Sequence, residues 1–251
     1  MTEDKLPAIS AQNVTVHFGE AHVLDGVSFE VGSGSFVGVV GPNGAGKGTL
    51  FNALVGLIHV NEGTILIHGK FPKQVRGAMA YVPQKESVNW RIPLTPWDVV
   101  MLGRTRHIGW LRRPSNLDRE IVKTCLERVG MLERKTSLMT ELSGGQRQRV
   151  FVARALAQEA DIMLLDEAFS GVDVASQEGL VGILRSLRDE GKTILIATHD
   201  LTNLARRFDL ILCINRHVCA YGAPGEVFTQ EVLEELYGSH GVIFANEGGA
   251  R

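Results

Sequence analysis

The sequence has no marked excess of charge of either sign. Its 251 residues include 26 basic and 28 acidic side chains, for a formal net charge of −2. We therefore expect no surface-wide electrostatic field that would recruit nucleic acid or anionic lipid, and we predict no nucleic-acid partner. Hydrophobic residues make up 44% of the chain and charged residues 22%, a composition typical of a globular protein with a well-buried core.

Cysteines and long apolar runs are also few. Cys125, Cys213 and Cys219 are an odd number without metal-ligand spacing, which favours small buried thiols in a reducing cytosol over disulfides. The eight histidines form no ligand cluster along the sequence, so we expect no site for a transported metal. The apolar runs are far shorter than the ~18 residues of a membrane span, and residues 1–10 lack the apolar stretch of a signal peptide. We expect any membrane contact to be made through a partner.

Short apolar runs alternate with helical patterns along much of the chain. Residues 36–40, 162–165 and 193–197 are typical of buried strands, and a helical pattern follows each of them. Strands that alternate with helices predict a parallel sheet covered on both faces.

Two regions depart from this alternation. Residues 9–31 and 63–67 predict strands joined by short turns, in an antiparallel piece beside the core. Residues 95–129 are mostly helical in pattern, with a loop around Pro114, and predict a helical subdomain inserted in the core.

A glycine-rich loop follows the strand at 36–40 directly and precedes a helical stretch. Glycines let consecutive backbone N–H groups converge on phosphate oxygens, the helix N-terminus adds positive potential, and Lys47 would reach the terminal phosphates. The strand, the lysine and the helix together favour a phosphate-binding loop over a bare glycine-rich turn. The hydroxyl residue that usually follows the lysine is missing, since position 48 is Gly. The residues predicted to bind the nucleotide here are Gly41, Pro42, Asn43, Gly44, Ala45, Gly46, Lys47, Gly48 and Thr49.

Two carboxylates follow the apolar run at 162–165. The carboxyl end of a strand in a parallel sheet delivers side chains to the ligand crevice. Asp166 is therefore a candidate ligand of Mg²⁺, and Glu167 is a candidate to polarise an attacking water. An acidic pair at a strand end is commonly only a solvated strand end, and the phosphate loop is what favours the functional interpretation.

The segment Leu142-Ser143-Gly144-Gly145-Gln146 stands before a helical run that extends to Gln158. Ser143 is a good N-cap, so a capped helix with a flexible start is the structural alternative. However, the segment lies after the phosphate loop and before the acidic pair. In that order it resembles the signature sequence of ATP-binding cassette (ABC) ATPases. The resemblance covers about residues 9–237.

The resemblance implies roles for other residues. Gln84 is similar to the Q-loop glutamine, which contacts Mg²⁺ and takes part in catalysis, and His199 is similar to the catalytic switch histidine. Asp173 lies in a segment that resembles the D-loop. Phe18 stands where the family has an adenine-stacking aromatic, although a plain core residue is the alternative.

The resemblance also implies an α/β fold: a P-loop NTPase core with a mostly parallel sheet, an antiparallel β subdomain and an inserted helical subdomain. The predicted bounds are 8–240 for the ABC ATPase domain, about 90–158 for the helical subdomain and 241–251 for a C-terminal tail. The resemblance further implies that the signature does not contact the ATP of its own subunit but serves a second copy in a homodimer. This fits the expectation that one ATP cannot readily use two phosphate cradles of one chain. The signature and D-loop residues assigned to that nucleotide are Ser143, Gly144, Gly145, Gln146 and Asp173.

The segments 81–95 and 98–104 resemble bacterial importers of manganese, zinc and iron. This implies an ATP- and Mg²⁺-dependent subunit on the cytoplasmic face of the cell membrane. Its expected partners are an integral membrane permease and, indirectly, an extracytoplasmic metal-binding protein that selects the ion. An iron-chelate importer and a catalytically weak regulatory cassette, suggested by Gly48, stay open as alternatives. Five basic residues lie close together in the sequence, and three interpretations stay open for them: a place near the permease contact, a place near lipid headgroups, or a solvated face. They are Arg104, Arg106, His107, Arg112 and Arg113.

Overall fold

A computed structural model describes residues 6–83, 92–109, 112–199 and 204–238. Within these residues the strands are β1 (Ile9–Phe18), β2 (Ala21–Val31), β3 (Phe36–Val40), β4 (Glu62–Ile67), β5 (Met79–Val82), β6 (Ile162–Asp166), β7 (Thr193–Thr198), β8 (Leu210–Asn215) and β9 (His217–Gly222). The α-helices there are α1 (Lys47–Leu54), α2 (Pro96–Gly103), α3 (Thr105–Ile108), α4 (Asn116–Arg128), α5 (Gly144–Ala157), α6 (Val174–Asp189), α7 (Leu204–Arg207), α8 (Pro224–Val227) and α9 (Gln230–Tyr237). Single 3₁₀ turns occur at Pro72–Gln74, Leu132–Arg134 and Met139–Glu141.

The chain divides into two compact units, and the first consists of residues 1–76 with 193–251. This unit contains an antiparallel sheet in the order β2–β1–β4, as the sequence pattern predicts. Its second group of strands places β3 between β7 and β8 in parallel register, with β9 antiparallel to β8. All five residues of β3 are buried, which explains the unbroken apolar run at 36–40.

The core of the first unit lies around β3 and the helix that follows it. Phe36 is fully buried, and its ring lies 5.0 Å from that of Phe208 in an edge-on contact. Leu50, Phe51 and Leu54 are fully buried on α1. Because the glycine-rich loop joins β3 to α1, both of its ends are anchored in this core.

The second unit, residues 77–192, combines two parallel strands with helices. β5 pairs with β6, and α2, α4 and α5 pack on one another. A Cβ atom at Gly103 would lie 2.4 Å from the backbone oxygen of Arg154, so α2 and α5 approach closely there. Thr95 caps α2 and Ser115 caps α4, each in a reciprocal pair with an aspartate three residues later. The helical content predicted for 95–129 is confirmed.

Arg104 corrects the interpretation of the basic cluster. Its side chain is only 4% exposed, and its guanidinium donates to Asp118 (3.0 Å), Glu159 and the carbonyl of Ala157 (2.9 Å). Hydrogen bonds from Ser115, together with Arg104, lower the pKa of Asp118 to about 2. Arg104 therefore links α2, α4 and the end of α5 in the interior of the second unit and does not contribute to a basic surface.

The predicted domain bounds remain predictions. The second unit contains β5, β6 and α6 as well as α2 to α5. It therefore includes more of the chain than the helical subdomain predicted at about 90–158 and does not test those bounds. The predicted tail, 241–251, lies outside the described residues. In the part of the chain that the structure describes, no helix is both long and apolar enough to cross a membrane.

Candidate functional site

The loop between β3 and α1 curls around the ammonium group of its lysine. Lys47 is buried, and its Nζ donates hydrogen bonds to the carbonyl oxygens of Gly41 (2.7 Å) and Pro42 (2.9 Å). The amide of Ala45 donates to the carbonyl of Pro42, which closes the turn at 3.2 Å. The carbonyls thus point toward the lysine, and these bonds keep the loop curled.

Gly46, the N-cap residue of α1, is required by conformation and by space. Its φ is +95°, in the left-handed region that side chains disfavour. A Cβ atom there would lie 2.7 Å from Cδ2 of Leu24 and 2.8 Å from the oxygen of Val23. No side chain of the described residues caps α1 at this position. A helix start without a side-chain cap, directly after a glycine-rich turn, is the arrangement expected of a phosphate site.

The turn between β8 and β9 holds the same loop through backbone hydrogen bonds. The amide of Arg216 donates to the carbonyl of Ala45 (2.9 Å), and the amide of Asp25 donates to the carbonyl of Arg216 (2.8 Å). A Cβ atom at Gly41 would lie only 2.1 Å from the carbonyl oxygen of Ile214. The loop is therefore fixed by backbone contacts to β2 and to the β8–β9 turn, which the sequence pattern did not reveal.

His199 lies at the same edge of the first unit as the loop. Val40 and Thr198 are paired residues of the parallel strands β3 and β7. Gly41 follows the first of them and His199 follows the second, so both leave the sheet at its carboxyl edge. The side chain of His199 is exposed there. The structure thus brings together these two predicted elements, which are about 150 residues apart in the chain.

In the second unit, β6 carries Asp166 to its last position and Glu167 follows. The hydroxyl of Tyr81, on the neighbouring strand β5, donates to Oδ2 of Asp166 (3.3 Å). Burial and the adjacent carboxylate raise the pKa of Tyr81, so the phenol stays protonated and serves as a donor. Glu167 has a φ of +49°, a strained backbone conformation for a residue with a side chain. Such strain is often found at functional positions.

The start of α5 is fixed by side chains. The Oγ of Ser143 accepts from the amide of Gln146 (3.2 Å), and the side-chain oxygen of Gln146 accepts from the amide of Ser143 (2.9 Å). The predicted N-cap is thus confirmed, and it is a reciprocal capping box. A Cβ atom at Gly145 would lie 2.7 Å from that of Ser176. Gly145 therefore lets the signature helix pack closely against the start of α6.

Asp173 has a clear structural role at the start of α6. Its carboxylate accepts a hydrogen bond from the amide of Ser176 (2.9 Å), and hydrogen bonds from the side chain and the amide of Ser176 lower the pKa of Asp173. The side chain of Gln177 donates to the carbonyls of Phe169 (3.3 Å) and Val172 (2.9 Å), which fixes the turn between β6 and α6. The contact with nucleotide predicted for Asp173 stays a prediction.

The geometry is that of a nucleotide-binding protein, and comparison with known families decides which one. The family model described as "ABC transporter" matches residues 24–170. This chain belongs to the ABC transporter family. It is an ABC ATPase, and its loop between β3 and α1 corresponds to the expected Walker A loop.

Two curated relatives span nearly the whole ABC ATPase. The manganese transport system ATP-binding protein MntB of Bacillus subtilis (strain 168) is 44% identical over 230 residues, which is 92% of each chain. The zinc transport system ATP-binding protein TroB of Treponema pallidum (strain Nichols) is 39% identical and aligns with 92% of this chain and 87% of its own. Similarity over such lengths confirms the family assigned by resemblance.

A solved structure supports the fold. The ADP conformation of MJ1267, an ATP-binding cassette of an ABC transporter, superposes with a TM-score of 0.79. The alignment covers 96% of this chain and 98% of that one at 23% identity. The α/β fold class predicted from the sequence, with its mixed and antiparallel sheets and its helices, is confirmed.

Two other predicted site residues have distinct outcomes. Phe18 ends β1 and is 56% exposed, so it is not the plain core residue of the alternative interpretation. Its stacking on adenine stays a prediction. Gln84, predicted to contact Mg²⁺ and to take part in catalysis, lies outside the described residues.

Sequence reasoning missed three residues that position the site. Tyr81 binds Asp166, Gln177 holds the turn before α6, and Arg216 supports the Walker A loop. Tyr81 alone gave a signal, because an aromatic residue with a hydroxyl in a short strand needs a partner when partly buried. Gln177 binds carbonyls five and eight residues earlier in an irregular turn, and Arg216 binds backbone groups distant in sequence, so neither is identified by a regular local pattern.

Proposed function

We propose that this ABC ATPase energises the import of a divalent metal ion, manganese, zinc or iron, through a separate membrane permease. The observation that carries the proposal is the 44% identity, over 92% of both chains, to an ATP-binding protein of a manganese transport system. A zinc system ATP-binding protein at 39% identity supports the same substrate class. An extracytoplasmic binding protein would select the ion, and this chain would act on the cytoplasmic face of the membrane.

Phosphate binding is assigned to the Walker A loop. The curled backbone and the first amides of α1 would surround the β- and γ-phosphates, and Lys47 would exchange its bonds to Gly41 and Pro42 for phosphate oxygens. Phe18, exposed at the end of β1, offers a face for adenine. His199, at the edge next to the loop, is assigned to the γ-phosphate.

The residues present suit Mg²⁺ at Asp166. One oxygen of this half-buried carboxylate is held by Tyr81, which orients the other oxygen for a hard cation. Bound Mg²⁺ would supply charge neutralisation for the developing phosphate charge. Gly48 offers no hydroxyl to the metal, so water is assigned to that position. Gln84 is assigned as a further ligand.

Glu167 is assigned to orient and polarise the attacking water. Its strained backbone, directly after the strand that carries Asp166, is the support for this role. The capped start of α5 is assigned to the nucleotide of a second copy, so two chains would close head to tail over two ATP molecules. The contributing residues would be Ser143, Gly144, Gly145, Gln146 and Asp173.

A cleft in the helical part of the second unit suits the permease. It has a volume of about 330 Å³ and is bordered by α2 and α3. Met101, Leu102 and Ile108 give it an apolar lining, while Asp98 and Arg112 supply charge. Leu102 is 55% exposed. An exposed apolar cleft with a charged rim is the usual form of a protein-docking site.

The proposal is tested first by Glu167→Gln. Nucleotide binding should persist and turnover should fall about a hundredfold or more, because the water is no longer activated. An ATP-bound dimer should accumulate in size-exclusion chromatography with Mg-ATP. Glu127→Gln, on the exposed face of α4, is the matched control and should leave turnover unchanged. Near-normal turnover in Glu167→Gln would reject the assigned role.

The substrate class is tested in the complex. The native permease co-purified with this chain is reconstituted with its binding protein, and ATPase activity is measured with manganese, zinc, iron or an iron chelate. Stimulation by one of the free divalent ions supports the proposal. Stimulation by the chelate alone would replace metal-ion import by chelate import, and no stimulation in an otherwise active complex would reject both.

A further inference from the structure

Three side chains of the types that bind metal ions lie close together at the surface of the first unit. None of them belongs to the Walker A loop. They are His217 and Cys219 on β9 and Glu235 on α9. Nε2 of His217 lies 2.7 Å from Oε1 of Glu235, and the ligand atoms of all three residues lie within 4.8 Å of one another. The spacing of the histidines and cysteines gives no signal of this cluster, because its third member comes from a helix 16 residues further on.

The fold places these residues on one face for simple geometric reasons. His217 and Cys219 are two residues apart on a strand, so their side chains project to the same side. α9 is capped by Thr229 and buries Leu233 and Leu236, which presents the intervening Glu235 to β9. The side chain of Asn215 donates to the backbone carbonyl of Glu235 (3.2 Å) and fixes the helix at this point.

The donor set suits a particular class of cation. Imidazole nitrogen, thiolate sulfur and carboxylate oxygen together favour zinc-like divalent ions over Mg²⁺ or Ca²⁺, and over Mn²⁺ by intrinsic affinity. With the thiol ionised, the cysteine and glutamate carry a formal charge of −2, which balances a dication. Three protein ligands and a water would complete a four-coordinate site.

The thiol needs a cation in order to ionise. Burial and the neighbouring Glu235 raise the pKa of Cys219 to about 12, so the metal-free thiol is protonated at neutral pH. A bound dication reverses the effect of Glu235 and displaces the proton.

The cluster is directly connected to the nucleotide site. His217 follows Arg216, whose backbone has a φ of +66° and binds both Ala45 of the Walker A loop and Asp25 of β2. The carbonyl of Arg216, in the peptide group that adjoins His217, accepts from Asp25, and the amide of the same residue donates to the loop. A shift of His217 toward a metal would therefore act on the loop through Arg216. The two sites thus share one short, conformationally constrained stretch of backbone.

We propose that His217, Cys219 and Glu235 form a binding site for a zinc-class divalent cation, and that its occupancy changes the affinity of the Walker A loop for nucleotide through Arg216. Such coupling is reciprocal, so nucleotide must change the cation affinity by the same factor. The site is separate from the Mg²⁺ assigned to Asp166, and its test does not depend on which ion is transported.

Binding is tested on the full chain with Zn²⁺ by calorimetry and with Co²⁺ by absorption. The expected result is one ion per chain, with the ultraviolet charge-transfer band of a cobalt–thiolate bond. Cys219→Ala, His217→Ala and Glu235→Gln should each weaken binding about tenfold or more, and Cys219→Ala should abolish the band. Cys125→Ala, which removes a buried thiol of α4, is the matched control and should retain both. An absent band, or variants that bind as well as the parent, would overturn the site.

Coupling is tested with a fluorescent nucleotide in excess Mg²⁺, while a chelator buffer fixes the free Zn²⁺. The parent and Cys125→Ala should show a change in nucleotide affinity of about fivefold or more between zero and saturating Zn²⁺. Cys219→Ala and Glu235→Gln should show none, although their nucleotide affinity without Zn²⁺ is unchanged. A parent that binds Zn²⁺ at this cluster with equal nucleotide affinity in both conditions would overturn the coupling.

Discussion

The helices α1 and α5 both begin at glycine-containing segments assigned to phosphate, yet they begin in opposite ways. α1 starts at Gly46, and the Walker A loop before it is held by backbone bonds to Arg216 and by Lys47. α5 starts at Ser143, whose side chain and that of Gln146 satisfy each other's amides. The first start has no side-chain cap among the described residues, whereas the second is closed by a reciprocal capping box. We infer that the Walker A loop is the site that binds nucleotide tightly. The signature would add little to the affinity and would act only when the dimer places it against the nucleotide of a second copy.

The largest expected effect comes from Gly46→Ala, which breaks the backbone-built start. The new Cβ combines left-handed strain with contacts of 2.7 and 2.8 Å to Leu24 and Val23. We expect the free energy of unfolding to fall by roughly 2–4 kcal/mol and nucleotide binding to be lost. Denaturant unfolding and nucleotide titration measure the two effects.

Gly191→Ala is the control for Gly46→Ala. Gly191 has a φ of +92°, but a Cβ atom there would meet nothing within 4 Å. This variant should lose only about 1 kcal/mol and should bind nucleotide normally. Equal destabilisation of both variants would show that the contacts with β2 do not matter.

A smaller and more selective effect is expected from Gly145→Ala, which disturbs the side-chain-built start. Its Cβ would collide with Ser176, so α5 and α6 must shift apart. ATPase activity should fall about tenfold or more because the signature is displaced. Nucleotide affinity of the isolated chain should stay nearly constant, since the tight site is elsewhere.

Ser176→Gly supplies the rescue for Gly145→Ala. Removing the Cβ of Ser176 frees the space that the added methyl group would occupy, while the backbone amide at position 176 can still bind Asp173. The double variant should recover activity, and a double-mutant cycle measures the coupling. If Gly145→Ala instead weakens nucleotide binding by the monomer, the signature serves its own ATP and the head-to-tail dimer is rejected.

The smallest effect concerns Gly48, where this chain departs from its family. Gly48 is half-buried in the first turn of α1. Gly48→Ser should lower the Mg²⁺ concentration needed for half-maximal ATPase activity, because the hydroxyl can ligate the ion. Gly48→Ala is the matched control, since it improves helix propensity by up to ~1 kcal/mol but adds no ligand. Superimposed Mg²⁺ titrations of the three proteins would show that the hydroxyl is irrelevant, whereas an inactive parent restored by serine would establish a weak regulatory cassette.

Local patterns predicted much of this molecule. The strand–loop–helix around Lys47 and the N-cap at Ser143 depend on neighbours within a few residues, and both are found as predicted. Three contacts had no such local signal. In the sequence, Arg104 is part of a cluster of basic residues. Its burial depends on Asp118 and Glu159, which α4 and α5 bring near it, and no local pattern shows this. His217 and Glu235 meet only because α9 folds back on β9.

The backbone at Glu167 has a consequence for how this chain would change over generations. A glutamate at φ +49° is held in a conformation that asparagine or glycine adopts more readily. If Glu167 has the role in turnover proposed for it, selection for turnover is what keeps glutamate at this position. In a duplicated gene released from that selection, position 167 is among the first where neutral drift would favour a different residue, and the resulting cassette would still fold.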